Sequence, residues 1–130
     1  MRKMTLLFAI LLFSTLVLSA CKPSGDAGAG KAAEAYLNAL VEGDGDRMSS
    51  LSCASWEENA LLELDSFMAV QAELQDLSCS QTGNDGDIAL VKCSGKILTT
   101  YNEEKTQIDL NTRTYEMTKS AGEWLVCGYR

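Results

Sequence analysis

The 130-residue chain contains no histidine. That removes the usual general base near neutral pH, the Ser–His and Cys–His nucleophile pairs, and histidine-ligated zinc. Basic residues are also scarce, 11 against 18 acidic, for a net charge of −7. Such a surface repels phosphate backbones and anionic lipid, so nucleic acid is excluded as a partner and any membrane attachment falls to a covalent or apolar anchor. The five cysteines include no C-x-x-C pair, which argues against a thiolate zinc site. No calcium loop is present either: counting from Asp44, Ser49 and Ser55 stand where an EF-hand needs Gly and Glu. No metal and no cofactor is expected, and there is no internal repeat.

The sequence opens with Arg2 and Lys3, followed by the apolar runs Leu6–Phe13 and Leu16–Leu18, then small residues at Ser19 and Ala20. The apolar core falls short of the roughly 20 residues of a spanning helix, and the order basic, apolar, small is that of a secretory signal, residues 1–20. Leu18-Ser19-Ala20-Cys21 resembles the lipobox of bacterial lipoproteins. The resemblance implies that the Cys21 thiol carries a diacylglyceryl group, with acyl chains such as palmitate, and becomes the new N-terminus. Each buried CH₂ is worth about 0.8 kcal/mol, so two chains hold where one does not. Lys22, rather than Asp, follows the cysteine. This implies the periplasmic face of the outer membrane in a Gram-negative source and the outer face of the cell membrane otherwise. Without the leader the chain holds nine basic and 18 acidic residues, a net charge of −9.

Residues 21–30 are rich in Gly, Ala and Ser with one Pro, and read as a flexible tether. A domain of residues 31–130 follows. Ala33, Tyr36, Leu37, Leu40 and Val41 form a helical stripe over 31–42, with Gly43 placed to end the helix. A short second helix runs through Met48 and Leu51. Ser55-Trp56-Glu57-Glu58 reads as a capping box opening a third, with Ala60, Leu61, Leu64, Phe67 and Met68 buried and an end near Gln75. Residues 77–82, 87–101, 106–118 and 123–129 then read as strands separated by turn clusters, an antiparallel meander. On the second strand Ala89, Val91, Cys93, Gly95 and Ile97 make the core face.

Helices first and strands afterwards define an α+β class: two to three N-terminal helices on a four-stranded antiparallel meander. The order resembles the cystatin-like cone of the nuclear-transport-factor-2-like superfamily, nearest to small bacterial lipoproteins of unknown function. Ala33–Asp44 looks like its opening helix and exit, and Gly122–Cys127 like its closing strand. The superfamily holds isomerases, hydrolases, ligand-binding proteins and interaction domains, so the resemblance implies a fold and not an activity.

Setting Cys21 aside leaves Cys53, Cys79, Cys93 and Cys127, an even set that favours disulfides in an exported protein. Cys79 and Cys93 flank a hairpin turn symmetrically about Gly86 and are expected to pair across strands; Cys53 and Cys127 pair by elimination. The face of Cys127 stays open, because without a bulge Trp124 and Val126 stand opposite Met117 and Tyr115.

Glu57, Glu58, Glu63 and Asp65 are expected on a solvated helix face. Tyr36, Trp56, Tyr115, Trp124 and Tyr129 are candidates to line a pocket between helices and sheet. No catalytic residue is assigned. The expectation is a non-enzymatic module binding a protein partner or small apolar ligand. The alternative is an isomerase- or hydrolase-like enzyme with a carboxylate or tyrosine in the cone, and a carboxylate facing a tyrosine there would favour it.

Overall fold

A computed structural model describes residues 27–130. The expected leader, Cys21 and the tether up to Asp26 lie outside the described residues. Three helices come first, α1 (Ala27–Glu42), α2 (Gly45–Ser50) and α3 (Glu57–Phe67). Five strands follow: β1 (Gln71–Asp85), β2 (Ile88–Tyr101), β3 (Glu104–Asp109), β4 (Thr114–Ser120) and β5 (Glu123–Tyr129). A 3₁₀ turn, Leu110–Thr112, separates β3 from β4. The α+β class and the helix-then-meander order are those the sequence predicts.

The helix α1 starts at Ala27 rather than Lys31, because Ala29 and Gly30 are buried and extend the apolar stripe by one turn. Ala33, Tyr36, Leu37 and Leu40 continue it. At its end Gly43 adopts φ +73°. Its N–H reaches the Leu40 carbonyl, and the Asp44 N–H reaches Ala39, so the last carbonyls are satisfied. The Asp44 carboxylate then accepts from the Arg47 N–H and caps α2.

The expected capping box does not form. Trp56 occupies the cap position of α3 without a side-chain bond, and Ser55 Oγ lies 3.3 Å from Cys53 Sγ instead. Nor does α3 reach Gln75. It stops at Phe67, Met68 is exposed, and the chain enters β1 at Gln71. Ala72, Glu73, Leu74 and Gln75 favour helix locally, but here they pair with Thr99 to Lys96 and alternate in burial, so strand pairing overrides propensity.

The sheet runs β1-β2-β4-β5, with β3 also paired to β2. Residues 106–118, expected as one strand, are broken because Leu110 is driven into the core and Thr112 Oγ1 donates to the Asp109 carbonyl. β3 therefore pairs with Lys96–Tyr101 and β4 with Ala89–Lys92. One core fills the space between α1 and the inner sheet face, built on Ala89, Val91, Cys93, Ile97, Tyr115, Met117 and Val126.

Between β4 and β5, Met117 stands opposite Val126 and Glu116 opposite Gly128, so Cys127 is an extra residue in a bulge. The bulge carries Cys127 to Cys53, with Cα atoms 5.3 Å apart in a disulfide. Beside it the Cys53 N–H bonds the Val126 carbonyl and the Val126 N–H bonds Leu51, covering the free edge of β5. Cys79 stands directly opposite Cys93, joined in a second disulfide with Cα atoms 4.0 Å apart.

Candidate functional site

The middle of α1 supplies Tyr36, whose ring lies wholly inside the core. A buried phenol needs partners, and Tyr36 has two. It accepts from the Trp56 indole N–H at 3.3 Å and donates to Glu63 Oε2 at 3.0 Å. Glu63 is on α3, on the face turned towards the sheet. Its other oxygen, Oε1, accepts from Arg113 Nη1 at 2.6 Å. Arg113 follows the 3₁₀ turn, so the break between β3 and β4 is what brings it here. Its guanidinium lies 4.2 Å from the centre of the Tyr129 ring.

Aromatic contacts close the group. Trp56 meets Tyr129 edge-to-face at 5.4 Å between centroids. Tyr129 meets Tyr115 at 6.0 Å, and Tyr115 meets Tyr36 at 6.3 Å. The Tyr115 hydroxyl is buried and has no hydrogen-bond partner among the described residues. In front of this group lies an open cleft of about 440 Å³, walled by Trp56, Leu62, Phe67, Ile108 and Tyr129, with Glu63 and Arg113 at its floor.

The electrostatics follow from burial and one ion pair. Burial, and then the Glu63 charge, hold the Tyr36 phenol protonated far above the usual tyrosine range. The same causes push Tyr115 up to about 12, although the nearby Arg113 guanidinium pulls it the other way. Burial works against the charge of Arg113, but its bond to Glu63 and their mutual attraction outweigh this and raise its pKa. Cation and carboxylate face each other with side chains 33% and 11% exposed. The floor is thus polar but balanced in charge, and the walls are aromatic and aliphatic side chains interrupted by Asn59 and Ser66.

Tyr36, Trp56, Tyr115 and Tyr129 come together here, as candidates for one lining; only Trp56 and Tyr129 face the open cleft, while Tyr36 and Tyr115 form its inner wall. Trp124 does not join them. It lies five residues before Tyr129 on β5, about 17 Å along an extended strand, with Lys119 Nζ 5.3 Å from its ring. Glu63, expected in solvent, is instead the polar centre of the site. Helical spacing carried the signal, because Glu63 lies three residues after Ala60, which is wholly buried. Arg113 had no sequence signal, since its place depends on the broken strand.

No protein-family profile and no curated protein matches the chain. Solved structures do. A proposed ketosteroid isomerase from Shewanella frigidimarina is similar over 80% of this chain and 94% of its own, at 15% identity and a TM-score of 0.55. A chain named Rd1NTF2_05, carrying five substitutions, is similar over 77% and 92%, at 15% identity and a TM-score of 0.50. The helical cell shape determining protein Pgp2 of Campylobacter jejuni is similar over 76% of this chain and 38% of its own, at 12% identity and a TM-score of 0.51. At these identities the likeness is one of fold, and the fold is nuclear-transport-factor-2-like.

Proposed function

We propose that the chain is an exported lipoprotein, anchored through Cys21, whose domain binds a neutral, largely apolar ligand or protein segment in the cleft between α3 and the end of β5. One observation carries the binding reading over an enzymatic one. Both oxygens of Glu63, at the floor of the cleft, already accept from internal donors, Arg113 and Tyr36, which weakens the carboxylate as a base towards a ligand. The Tyr36 hydroxyl spends its proton on Glu63 and is equally unavailable to a ligand. What the cleft offers is the aromatic wall of Trp56 and Tyr129 over a charge-balanced floor. Apolar walls with a few fixed polar groups are the ordinary composition of ligand sites.

The carboxylate beside a phenol supports a second reading, proton transfer next to a carbonyl, as in an isomerase. Two measurements separate them. With Nile red as a neutral probe, Trp56→Ala and Tyr129→Ala each weaken binding about tenfold, the loss expected when an aromatic wall is removed, while Glu63→Gln leaves it nearly unchanged. If the chain instead isomerises an unsaturated ketosteroid, followed by absorbance, and Glu63→Gln abolishes turnover, the binding reading is replaced by the enzymatic one. For the anchor, labelled palmitate is incorporated by the wild-type chain and not by Cys21→Ala; incorporation by both overturns lipidation at Cys21.

A further inference from the structure

The end of the domain at which α1 begins carries a second groove, of about 540 Å³, lined by Gly28, Leu51, Glu123, Trp124 and Leu125. From this groove and the position of Ala27 we infer that this end is a lipid-facing surface, and that Trp124 sits at the headgroup level of a zwitterionic bilayer. The inference rests on anchoring at Cys21 and adds what that anchoring alone leaves open, the orientation of the domain.

The first argument is length. Because α1 starts at Ala27, with Ala29 and Gly30 already locked in the core, only residues 22–26 separate the anchor from the folded domain. Fully extended, the step from residue 21 to residue 27 spans at most about 22 Å. A helix of 16 residues is itself about 24 Å long, so the domain is larger than its tether is long. Ala27 therefore stays within about 22 Å of the anchored residue, and the end of the domain nearest it is the end closest to the membrane.

The second argument is the chemistry at that end. Trp124, Leu125 and Leu51 are half-buried apolar side chains at one groove, and Lys119 Nζ lies over the Trp124 ring. An indole beside an ammonium is matched to the headgroup layer, where the ring meets the first carbons and the cation meets phosphate. Lys31, on the first turns of α1, adds no net charge there, because its ammonium is paired with Glu34 at 2.8 Å. The net charge of −9 selects a zwitterionic layer over an anionic one.

The two tryptophans provide the test, because Trp56 belongs to the cleft and Trp124 to this groove. The lipidated chain is reconstituted in phosphatidylcholine vesicles containing brominated acyl chains. Trp56→Phe, which leaves Trp124 as reporter, shows bromine quenching and a blue shift on binding; Trp124→Phe, which leaves Trp56, shows neither. Absence of quenching of Trp124 in vesicle-bound protein overturns the inference, as does quenching of Trp56 instead. Flotation is read in the same samples. Failure to float marks failure of the anchoring reading, and the chain from Lys22 onward is then attached through an N-terminal hexahistidine to nickel-chelating lipid, where the same two outcomes decide the surface.

Discussion

At the scale of single residues, two buried tyrosines in contact play opposite parts. Tyr36 links the Trp56 indole to Glu63, so Tyr36→Phe strands a donor and an acceptor and is expected to lower stability by about 1–2 kcal/mol. The Tyr115 hydroxyl has no such partner, so Tyr115→Phe is expected to be neutral or stabilising. Urea midpoints of the two variants check the contrast; equal losses would mean that Tyr115 is bonded after all. The same burial sets an alkaline limit. Tyr115 ionises at about 12 in the fold against 10.0 when exposed, so the native state holds the proton more tightly. Below about pH 10 the group is neutral in both states and has no effect, and stability is lost as pH rises from there towards 12. Unfolding midpoints measured from pH 8 to 12 should be flat and then fall, and should fall less in Tyr115→Phe.

At the scale of elements, α1 is fixed to β1 at one close approach. A Cβ on Gly30 would run into the Cys79 carbonyl, so helix and strand touch backbone to backbone there. Gly30→Ala is expected to cost about 1–3 kcal/mol in thermal or urea unfolding even though alanine is the better helix former. A neutral or stabilising result would show that α1 begins later than Ala27. This contact also marks what the sequence could and could not convey. The stripe of α1 was legible because Ala33, Tyr36, Leu37 and Leu40 repeat at helical spacing. Residues 27–30 read as tether because glycine and alanine look alike in a linker and in a tightly docked helix turn. The start of β1 was hidden under good helix formers, and the 3₁₀ break under residues that suit a strand. Both depend on partners distant in sequence. The site was half legible for the same reason: its aromatics stood out, whereas Glu63 and Arg113 are ordinary surface residues until the fold sets them 2.6 Å apart.

At the scale of the whole molecule, the two disulfides divide their work. Cys79–Cys93 spans 14 residues and staples one hairpin; Cys53–Cys127 spans 74 and ties the helical layer to the last strand. In the chain-entropy picture their removal costs about 3 and about 4.5 kcal/mol, against a net stability on the order of 5–15 kcal/mol for a domain of this size. Paired Cys→Ser variants, compared by urea unfolding, should keep that order, and the Cys53/Cys127 variant should be the nearer to unfolding at 37 °C. Equal losses would mean that loop length is not what decides. The cleft and the Trp124 groove lie towards opposite ends of β5, so a domain resting on lipid by one end would present the other outward.

The bulge at Cys127 has a consequence of another kind. A strand is read in two phases, odd and even, and one surplus residue works like a frameshift. Because of it Val126 and Tyr129, three apart, both face inward, opposite Met117 and Tyr115. In the unshifted phase Tyr129 would turn outward and the cleft would lose a wall. The surplus residue is the one bolted to Cys53, so the covalent bond holds the reading frame of the strand as well as the stability of the domain. In a reduced chain the backbone bonds of Val126 to Cys53 and Leu51 and its buried side chain hold that phase, and a slip of one residue would remove a wall of the binding site.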